Sequence, residues 1–388
     1  MIYLDNNATT PLHPQVKSKI IETLDFFGNP SSAYELGRKS RFLVEEARKN
    51  AAKFLNCMPD ELIFTASGSE TNNTILKSVL ERCCRQSCHK GANPHIISAV
   101  TEHPSVLNTL KCLENQNVKI TYLPVDKDGL VNPDDVKKAI NDNTVLISIM
   151  YANNEIGTIA PIEEITEIAK SKGIEIHTDA VQAIGKIKID LEKLPVDYLS
   201  ISGHKIYAPK GVGLLFKRKG TRPLCPLISG GHQENSLRAG TENTIGIIAL
   251  GEAFKQLTIE MDDEVKRIKI LRDRLEDGIM KKIPEVKLNG HKTKRLPGTL
   301  NISIKNIEGE SILLRLDMHG IACSTGSACS TGSLEPSHVI MALGVPQETA
   351  HGSIRFSLGR ENTENDVDTA VLKLAEVTEF LRKISPLK

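Results

Sequence analysis

Polar side chains that could bind a phosphate follow two apolar runs of this sequence. After residues 64–66, Gly68 permits close backbone approach and Ser69 offers a hydroxyl where a helical pattern begins. The unpaired N–H groups of a helix N-terminus favour anions, although a Ser/Gly segment before a helix is more often an ordinary N-cap. Ser202 and His204, after a second run, could add donors to the same phosphate.

A lysine next to that second run could do covalent chemistry. Lys205 comes directly after the Ser-Gly-His segment at residues 202–204. A lysine in a partly dry cleft can lose its proton and form a Schiff base with an aldehyde, although an arbitrary lysine is most often a surface charge. Lys210, just before another apolar run, is the rival candidate for this role.

Carboxylate and amide side chains follow two further runs. Asp179 comes directly after residues 174–178, with Gln182 close behind, and Asn154 follows residues 145–151. An isolated aspartate at this position is more often a helix cap. A carboxylate beside a pyridine nitrogen, however, keeps that nitrogen protonated, and the protonated ring is an electron sink. One predicted strand is followed by aspartate, and the next ends in Ser-x-His-Lys. This combination is far less expected by chance than either feature alone.

Two cysteines in one loop differ in their surroundings. Cys329 lies among small polar residues that permit motion and exposure, as a travelling nucleophile requires. Cys323 ends an apolar stretch, which favours core packing. Three other cysteines lie in a basic polar stretch and lack a common paired zinc spacing, so an exposed helix end is the preferred interpretation for Cys83, Cys84 and Cys88.

The elements that would position these residues alternate between extended and helical patterns. Several apolar runs are continuous, which is typical of strands buried on both faces by crossover helices. This order predicts an α/β fold with a mostly parallel sheet, in which ligands gather at the carboxyl ends of the strands. The predicted strands are residues 95–100, 118–123, 145–151, 174–178, 198–202 and 212–216.

The character of the chain changes after about Gly251. A long charged helical stretch at 264–282 leads to strand-like residues 299–304, and a closing helix begins near Glu364. This pattern indicates a smaller α+β domain that carries the loop of Cys329. We therefore expect a large domain of residues 15–255 and a small domain of residues 1–14 and 256–388.

Bulk composition argues against several classes of protein. The 388 residues contain 49 Lys and Arg against 48 Asp and Glu, without a basic stripe, so no nucleic-acid partner is expected. No stretch approaches the roughly 18 apolar residues of a membrane span, and the first residues lack the pattern of a signal peptide. The eight scattered cysteines favour free thiols in a reducing compartment. A cytoplasmic enzyme without a bound metal is the expectation.

Six segments of the sequence together resemble the cysteine desulfurase family. This family belongs to the class-V aminotransferase group of fold-type I pyridoxal-phosphate enzymes, and the resemblance to its NifS/IscS type covers essentially the whole chain. The segments are LDNNATT at 4–10, GNPSS at 28–32, TEH at 101–103, NNEIG at 153–157, HTDAVQ at 177–182 and SGHK at 202–205. The resemblance implies pyridoxal 5'-phosphate as cofactor and conversion of L-cysteine to L-alanine and a persulfide.

The resemblance also implies roles for individual residues. Lys205 would bind the cofactor covalently and Asp179 would pair with its ring nitrogen. His103 would stack over the ring and handle protons. Asn154 and Gln182 would contact the ring face and its phenolic oxygen. The residues implied for the phosphate are Gly68, Ser69, Ser202 and His204.

Further resemblance points to the substrate and to a second subunit. Arg355 would hold the substrate carboxylate together with Asn154, because a planar guanidinium binds carboxylate in two places, and Arg360 is its structural competitor. The segment at 230–241 resembles one that crosses a homodimer interface, where Thr241 would touch the phosphate of the other subunit. The match around Cys329 implies the persulfide-forming nucleophile. It would pass sulfur to an iron–sulfur scaffold protein or another acceptor, with transient contact to a cluster.

Two alternative functions remain open. A selenocysteine lyase or an aminotransferase shares this fold, but an aminotransferase has no use for Cys329 in such a loop, and the His and Asp pattern associated with the lyases is missing. A catalytically silent assembly scaffold is the alternative from another class, and the presence of Lys205 and Cys329 argues against it. The identity of the acceptor and the selectivity for cysteine over selenocysteine stay open.

Overall fold

Strands and helices alternate along the chain, and the computed structural model describes residues 1–85, 93–325 and 336–385. The described strands are β1 (Ile2–Tyr3), β2 (Leu62–Thr65), β3 (His95–Ala99), β4 (Lys119–Leu123), β5 (Thr144–Ser148), β6 (Glu175–Asp179), β7 (Tyr198–Ser202), β8 (Gly213–Lys217), β9 (Val286–Asn289), β10 (Thr299–Ile304), β11 (Ile321–Ala322) and β12 (Ser353–Ser357). The described helices are α1 (Pro14–Thr23), α2 (Glu35–Leu55), α3 (Gly68–Arg85), α4 (Pro104–Glu114), α5 (Pro133–Ala139), α6 (Ile162–Ser171), α7 (Thr244–Lys282), α8 (Gly309–Met318), α9 (His338–Ala342), α10 (Gln347–Ala350) and α11 (Glu364–Ile384).

The largest sheet of the described chain has seven strands in the order β2-β8-β7-β6-β5-β3-β4. Strands β4, β3, β5, β6 and β7 are mutually parallel, whereas β8 is antiparallel to both of its neighbours. All residues of β6 and β7 are buried, as expected where helices cover both faces. The prediction of an α/β fold with a mostly parallel sheet is confirmed.

The strand order brings the predicted site residues to one edge of the sheet. The adjacent strands β5, β6 and β7 end side by side because they run in parallel. Gly213 of β8 pairs with both Thr65 of β2 and Ser202 of β7, so the end of β2 lies at the same edge. A Cβ atom on Gly213 would approach the Thr65 hydroxyl oxygen to 2.8 Å, which explains glycine at this close contact.

A second apolar core surrounds a three-stranded antiparallel sheet with the order β12-β10-β9, counted within the described residues. Its members come from both ends of the chain, including Leu4, Ile302 and Phe356. Cys323 belongs to this core, where burial raises the pKa of its thiol to about 12. The packing role predicted for Cys323 agrees with this position.

Helix α7 connects the two cores. Its first half packs Phe254 into the core of the large sheet, and its second half packs Leu275 into the second core. The expected boundary between residues 255 and 256 therefore falls inside a continuous helix, and the division into two domains stays a prediction. Within the part of the chain that the structure describes, no helix has the length and apolar content needed to cross a membrane.

Candidate active site

A cavity of about 400 Å³ opens at the carboxyl edge of the large sheet, beside the N-terminus of α3. Its volume is in the range of pockets that hold small molecules. Ten of the predicted site residues line it: Gly68, Ser69, His103, Asn154, Asp179, Gln182, Ser202, His204, Lys205 and Arg355. Thr241 is not among the lining residues, and Cys329 lies outside the described part of the chain.

One end of the cavity is suited to a phosphate. Helix α3 begins at Gly68, and a Cβ atom there would come within 2.7 Å of the Val181 side chain, so glycine allows the helix to approach the end of β6. Ser202 is buried nearby and offers a hydroxyl. Burial and the charges of Lys205 and Lys210 lower the pKa of His204 to about 4, so its imidazole is neutral at pH 7. Helix N–H groups, hydroxyls and a neutral imidazole form a donor set that fits a phosphate.

Asp179 is the last residue of β6 and is held by two neutral donors. The Asn72 side-chain amide donates to its Oδ2 at 2.7 Å, and the Val181 backbone N–H donates to its Oδ1 at 3.0 Å. The carboxylate, which is 5% exposed, keeps further lone pairs for a protonated ring nitrogen. Asn72 was not among the residues predicted from the sequence. Its position one helical turn after Gly68, on the same face of α3, was the available signal.

Lys205 follows β7 in a single turn of 3₁₀ helix and extends into the cavity. Its Nζ atom donates to the backbone carbonyls of Asn7 at 2.5 Å and Ala8 at 2.7 Å. The N-terminal segment therefore holds the amine at the cavity. Lys210 is exposed and does not line the cavity, so the structure favours Lys205 over its rival by position.

His103 is the N-cap of α4 and faces the same cavity. Its Nδ1 accepts the backbone N–H of Ser105 at 3.1 Å, so the neutral tautomer carries its proton on Nε2. Burial lowers the pKa of His103, and the nearby charge of Lys205 lowers it further against the opposing effect of Asp179. The imidazole is therefore neutral at pH 7.

Arg355 lies in the middle of β12 and is 3% exposed. It donates from Nη2 to the Asp5 carboxylate at 2.7 Å and from Nη1 to the Asn154 carbonyl at 3.0 Å. Its buried Nε has no hydrogen-bond partner among the described residues. A buried N–H without a partner is unfavourable, and a substrate carboxylate would satisfy it. Asp5, which orients this guanidinium, was not among the residues predicted from the sequence.

Backbone hydrogen bonds join Arg355 to the described residues just before the Cys329 segment. The Ser324 N–H donates to the Arg355 carbonyl at 3.1 Å, and the Arg355 N–H donates to the Ser324 carbonyl at 2.6 Å. Ser337, the second described residue after that segment, donates its hydroxyl to the buried Glu155 carboxylate at 2.5 Å. Both described ends that flank the segment are thus attached next to the cavity.

Thr241 is exposed and lies five residues after a strained stretch of backbone. Glu234, Asn235 and Ser236 have φ angles of 46°, 55° and 64°, in the left-handed region that these residue types rarely adopt in succession. The Glu234 carboxylate is buried in an ion pair with Arg48 at 2.7 Å, which holds the strained backbone in place. The segment is therefore fixed, with Thr241 away from the cavity of its own chain.

Three comparisons with known proteins identify relatives over almost the whole chain. Residues 2–370 match the family described as aminotransferase class-V. The chain is 50% identical over 388 residues to "Cysteine desulfurase IscS" of Dictyoglomus turgidum, covering 100% of this chain and 97% of that protein. It is 49% identical to "Cysteine desulfurase IscS" of Methanosarcina thermophila, covering 100% and 94%. A solved "NIFS-LIKE PROTEIN" superposes with a TM-score of 0.90 at 39% identity, covering 98% of this chain and 100% of the other.

Proposed function

This chain belongs to the class-V aminotransferase family, and we propose that it is a pyridoxal 5'-phosphate-dependent cysteine desulfurase of the IscS type. It converts L-cysteine to L-alanine and an enzyme-bound persulfide. The observation that carries the proposal is a single cavity that brings together Lys205, Asp179 and Arg355, which are an amine, a carboxylate and a buried guanidinium from distant parts of the chain. The amine can react with an aldehyde, the carboxylate can pair with a pyridine nitrogen, and the guanidinium can bind the carboxylate of an amino acid.

The residues around the cavity have chemically distinct roles in holding the cofactor. The N-terminus of α3, with Gly68 and Ser69, would bind the phosphate together with Ser202 and His204. Lys205 would form the covalent attachment. When bound, pyridoxal phosphate supplies an electron-withdrawing ring that delocalises negative charge formed at the substrate α-carbon. The remaining cofactor contacts are assigned to Asp179, Asn154 and Gln182.

The other cavity residues bind the substrate and move protons. Arg355 binds the α-carboxylate through its unpaired Nε and an adjacent N–H, and the Asn154 carbonyl keeps the guanidinium in place. This contact fixes the orientation of the α-carbon relative to His103. His103 is the residue proposed to handle protons beside the α-carbon, and its ring is neutral at pH 7 because burial lowers its pKa.

Cys329 is the proposed sulfur acceptor within the enzyme. Attack of its thiolate on the substrate sulfur forms an S–S bond and breaks the substrate C–S bond. The electron pair of the broken bond stays on carbon, which is protonated and leaves as alanine. The sulfur remains on Cys329 as a persulfide and passes to an iron–sulfur scaffold protein or another acceptor, with transient contact to a cluster as part of the same proposal.

The assembly and the compartment belong to the same proposal. The functional unit is a homodimer in which Thr241 of each subunit completes the phosphate site of the other. The protein works in the cytoplasm, with L-cysteine as substrate and with neither nucleic acid nor membrane as a partner. Each subunit has a large domain of residues 15–255 that binds the cofactor and a small domain of residues 1–14 and 256–388.

A product assay tests the proposed reaction. The full-length protein, reconstituted with pyridoxal phosphate, is incubated with L-cysteine and dithiothreitol, and alanine and sulfide are measured. Equal amounts of both products over many turnovers are expected. Formation of a keto acid in place of alanine would indicate an aminotransferase. Turnover with selenocysteine but not cysteine would indicate a selenocysteine lyase, and either result contradicts the proposal.

A further inference from the structure

Lys186 is a half-buried lysine behind the cavity that has no role in the reaction described above. Its Nζ atom donates to Gln182 Oε1 at 2.8 Å and to Asn7 Oδ1 at 3.0 Å. Burial, followed by the charges of Lys205 and Arg355, lowers the pKa of Lys186 to about 7. Removing a lysine amine from water costs free energy unless hydrogen bonds compensate for it. The two hydrogen bonds supply that compensation and also constrain their acceptors.

Both groups that accept from Lys186 are side-chain amide oxygens, and these contacts orient the two amides. An ammonium group has only donors, so each amide must turn its oxygen, and not its nitrogen, toward it. The uncharged amine still has two N–H groups, enough for both oxygens. The Gln182 nitrogen points away from Lys186 and donates to the Asn7 carbonyl at 2.9 Å. The Asn7 side-chain nitrogen likewise points away and donates to Thr299 Oγ1 at 2.9 Å.

The orientation matters because Gln182 lines the cavity. Its Nε2 atom has two N–H groups, and the Asn7 carbonyl uses one of them. The amide thus offers the cavity a donor and not an acceptor. A donor directed at the phenolic oxygen of pyridoxal phosphate favours the deprotonated oxygen, whereas a carbonyl at that position would repel it.

We propose that Lys186 is a positioning residue that holds the Gln182 amide with its N–H toward the ring oxygen of pyridoxal phosphate. This inference rests on the proposed function, because it assigns a purpose to the amide only if that cofactor binds. Lys186 acts through Gln182 and does not touch the cofactor. The same amine also fixes Asn7, whose carbonyl accepts the Nζ of Lys205 at 2.5 Å.

The test replaces Lys186 by methionine, which keeps the length of the side chain and removes its donors. The apoprotein is reconstituted with pyridoxal phosphate, and two quantities are read from visible absorbance: the Kd of the cofactor and the pH midpoint of its colour change. Lys186→Met is expected to weaken cofactor binding about tenfold, the effect of losing one hydrogen bond to a charged acceptor. The midpoint should rise by about one unit, because loss of the donor disfavours the deprotonated ring oxygen.

The matched control is Lys188→Met, which removes an exposed lysine two residues further along the chain. It should leave both quantities at the parental values. If Lys186→Met behaves like Lys188→Met, the positioning role is wrong while the proposed function stands. If the parent protein itself develops no borohydride-reducible colour with pyridoxal phosphate, the proposed function fails first. The two failures are therefore distinguishable.

A double-mutant cycle tests whether Lys186 acts through Gln182. Gln182→Met alone should shift the midpoint as Lys186→Met does, and the double variant should shift it no further. Additive shifts would mean that Lys186 acts through its charge and would overturn the inference. If Lys186→Met does not fold, as judged from its thermal unfolding, Lys186→Gln replaces it. This variant is uncharged but keeps an amide N–H, so a parental midpoint is expected, and a shift of about one unit would count against the proposal.

Discussion

At the scale of single residues, the cavity shows how surroundings assign different chemistry to similar side chains. Lys205 and Lys210 are five positions apart, yet one extends into the cavity and the other is exposed. Cys323 is buried in the second core, where its raised pKa disfavours the thiolate that nucleophilic attack requires. Position in the fold, and not residue type, therefore distinguishes Lys205 from Lys210 and makes Cys323 a poor candidate for a nucleophile.

The choice between the two lysines leads to a direct test. Lys205→Ala should bind pyridoxal phosphate without forming the yellow, borohydride-reducible lysine adduct. Among the described residues, Lys205 is the only lysine that lines the cavity, and this variant removes its amine. Desulfurase activity should fall to background. Lys210→Ala should keep the adduct, and mass mapping of the reduced protein should locate it on Lys205. An adduct that survives in Lys205→Ala and disappears in Lys210→Ala would reverse the assignment.

The two loop cysteines can be separated in the same way. Cys329→Ser should bind the cofactor and still change its visible spectrum with L-cysteine, because the proposed cofactor contacts are unchanged. Alanine release and persulfide labelling should fall to background. Cys323→Ser should transfer sulfur like the parent, although a hydroxyl in this core is expected to lower the free energy of unfolding by about 1–2 kcal/mol. Persulfide lost only in Cys323→Ser would move the nucleophile to the upstream cysteine.

At the residue scale, sequence patterns predicted the groups that face a ligand better than the groups that support them. Ten predicted residues line the cavity. Nine of them end or follow strands that finish at the same edge of the large sheet, whereas Arg355 comes from the middle of β12. The supporting contacts of Asn72 with Asp179 and of Asp5 with Arg355 were missed. They join residues that are distant in the chain, and only Asn72 has a local signal, its position one helical turn after Gly68. Such contacts become visible only when the fold places the elements side by side.

At the scale of elements, strand direction and helix length were the least predictable features. Strand β8 is antiparallel to β7, which the apolar pattern of either strand does not reveal. The short connection between Ser202 and Gly213 was the available signal, since a parallel crossover needs a dozen or more residues. Helix α7 begins at Thr244, about 20 residues before the charged stretch that indicated it. Residues 246–251 are all buried, so the amphipathic period disappears there.

The contact between Glu155 and α9 is the element-scale feature with a testable pH dependence. Ser337 caps α9 by accepting the Val339 N–H at 3.1 Å, and its hydroxyl donates to Glu155. Burial raises the pKa of Glu155 to about 7, against the opposing effects of Ser337 and Arg355. Because the folded-state pKa is higher than the unfolded one, the folded state binds this proton more tightly. The resulting stability is present at low pH and is lost as the pH rises through about 7.

Glu155→Gln should remove this pH dependence, because glutamine keeps an acceptor for Ser337 and has no charge. Relative to the parent, the variant is expected to gain up to about 3 kcal/mol of unfolding free energy between pH 5 and pH 8, corresponding to about 1.4 kcal/mol for each unit of pKa. Urea unfolding at both pH values measures the gain. Glu164→Gln on the exposed face of α6 is the matched control and should show no such difference. An equal pH response in both variants would contradict the assigned titration of Glu155.

At the scale of the whole molecule, the N-terminal segment joins the two cores. Leu4 packs into the second core, while the Asn7 side chain donates to both Asn154 and Thr299. Lys205 donates to the carbonyls of Asn7 and Ala8 from the other side. One segment near the start of the chain therefore couples the sheet that bears the lysine to the sheet that bears Arg355. Residues 4–10 are one of the segments that carry the family resemblance, but their structural role follows from this position between the cores.

The position of Thr241 gives the last prediction, which concerns the proposed dimer. Thr241 lies outside the cavity of its own chain, on a segment fixed by the Glu234–Arg48 ion pair, so a role at a phosphate site requires a second subunit. Thr241→Ala homodimers should bind pyridoxal phosphate about tenfold more weakly, as expected for one hydrogen bond to a charged group.

Differently tagged Thr241→Ala and Lys205→Ala subunits are then combined and the mixed dimers isolated. The subunit with an intact Lys205 receives an intact Thr241 from its neighbour, so each mixed dimer should regain one site with the parental Kd and about half of the parental activity. Binding that stays weak in the mixed dimer would mean that Thr241 serves its own subunit, and parental affinity in a sedimenting monomer would exclude the shared site.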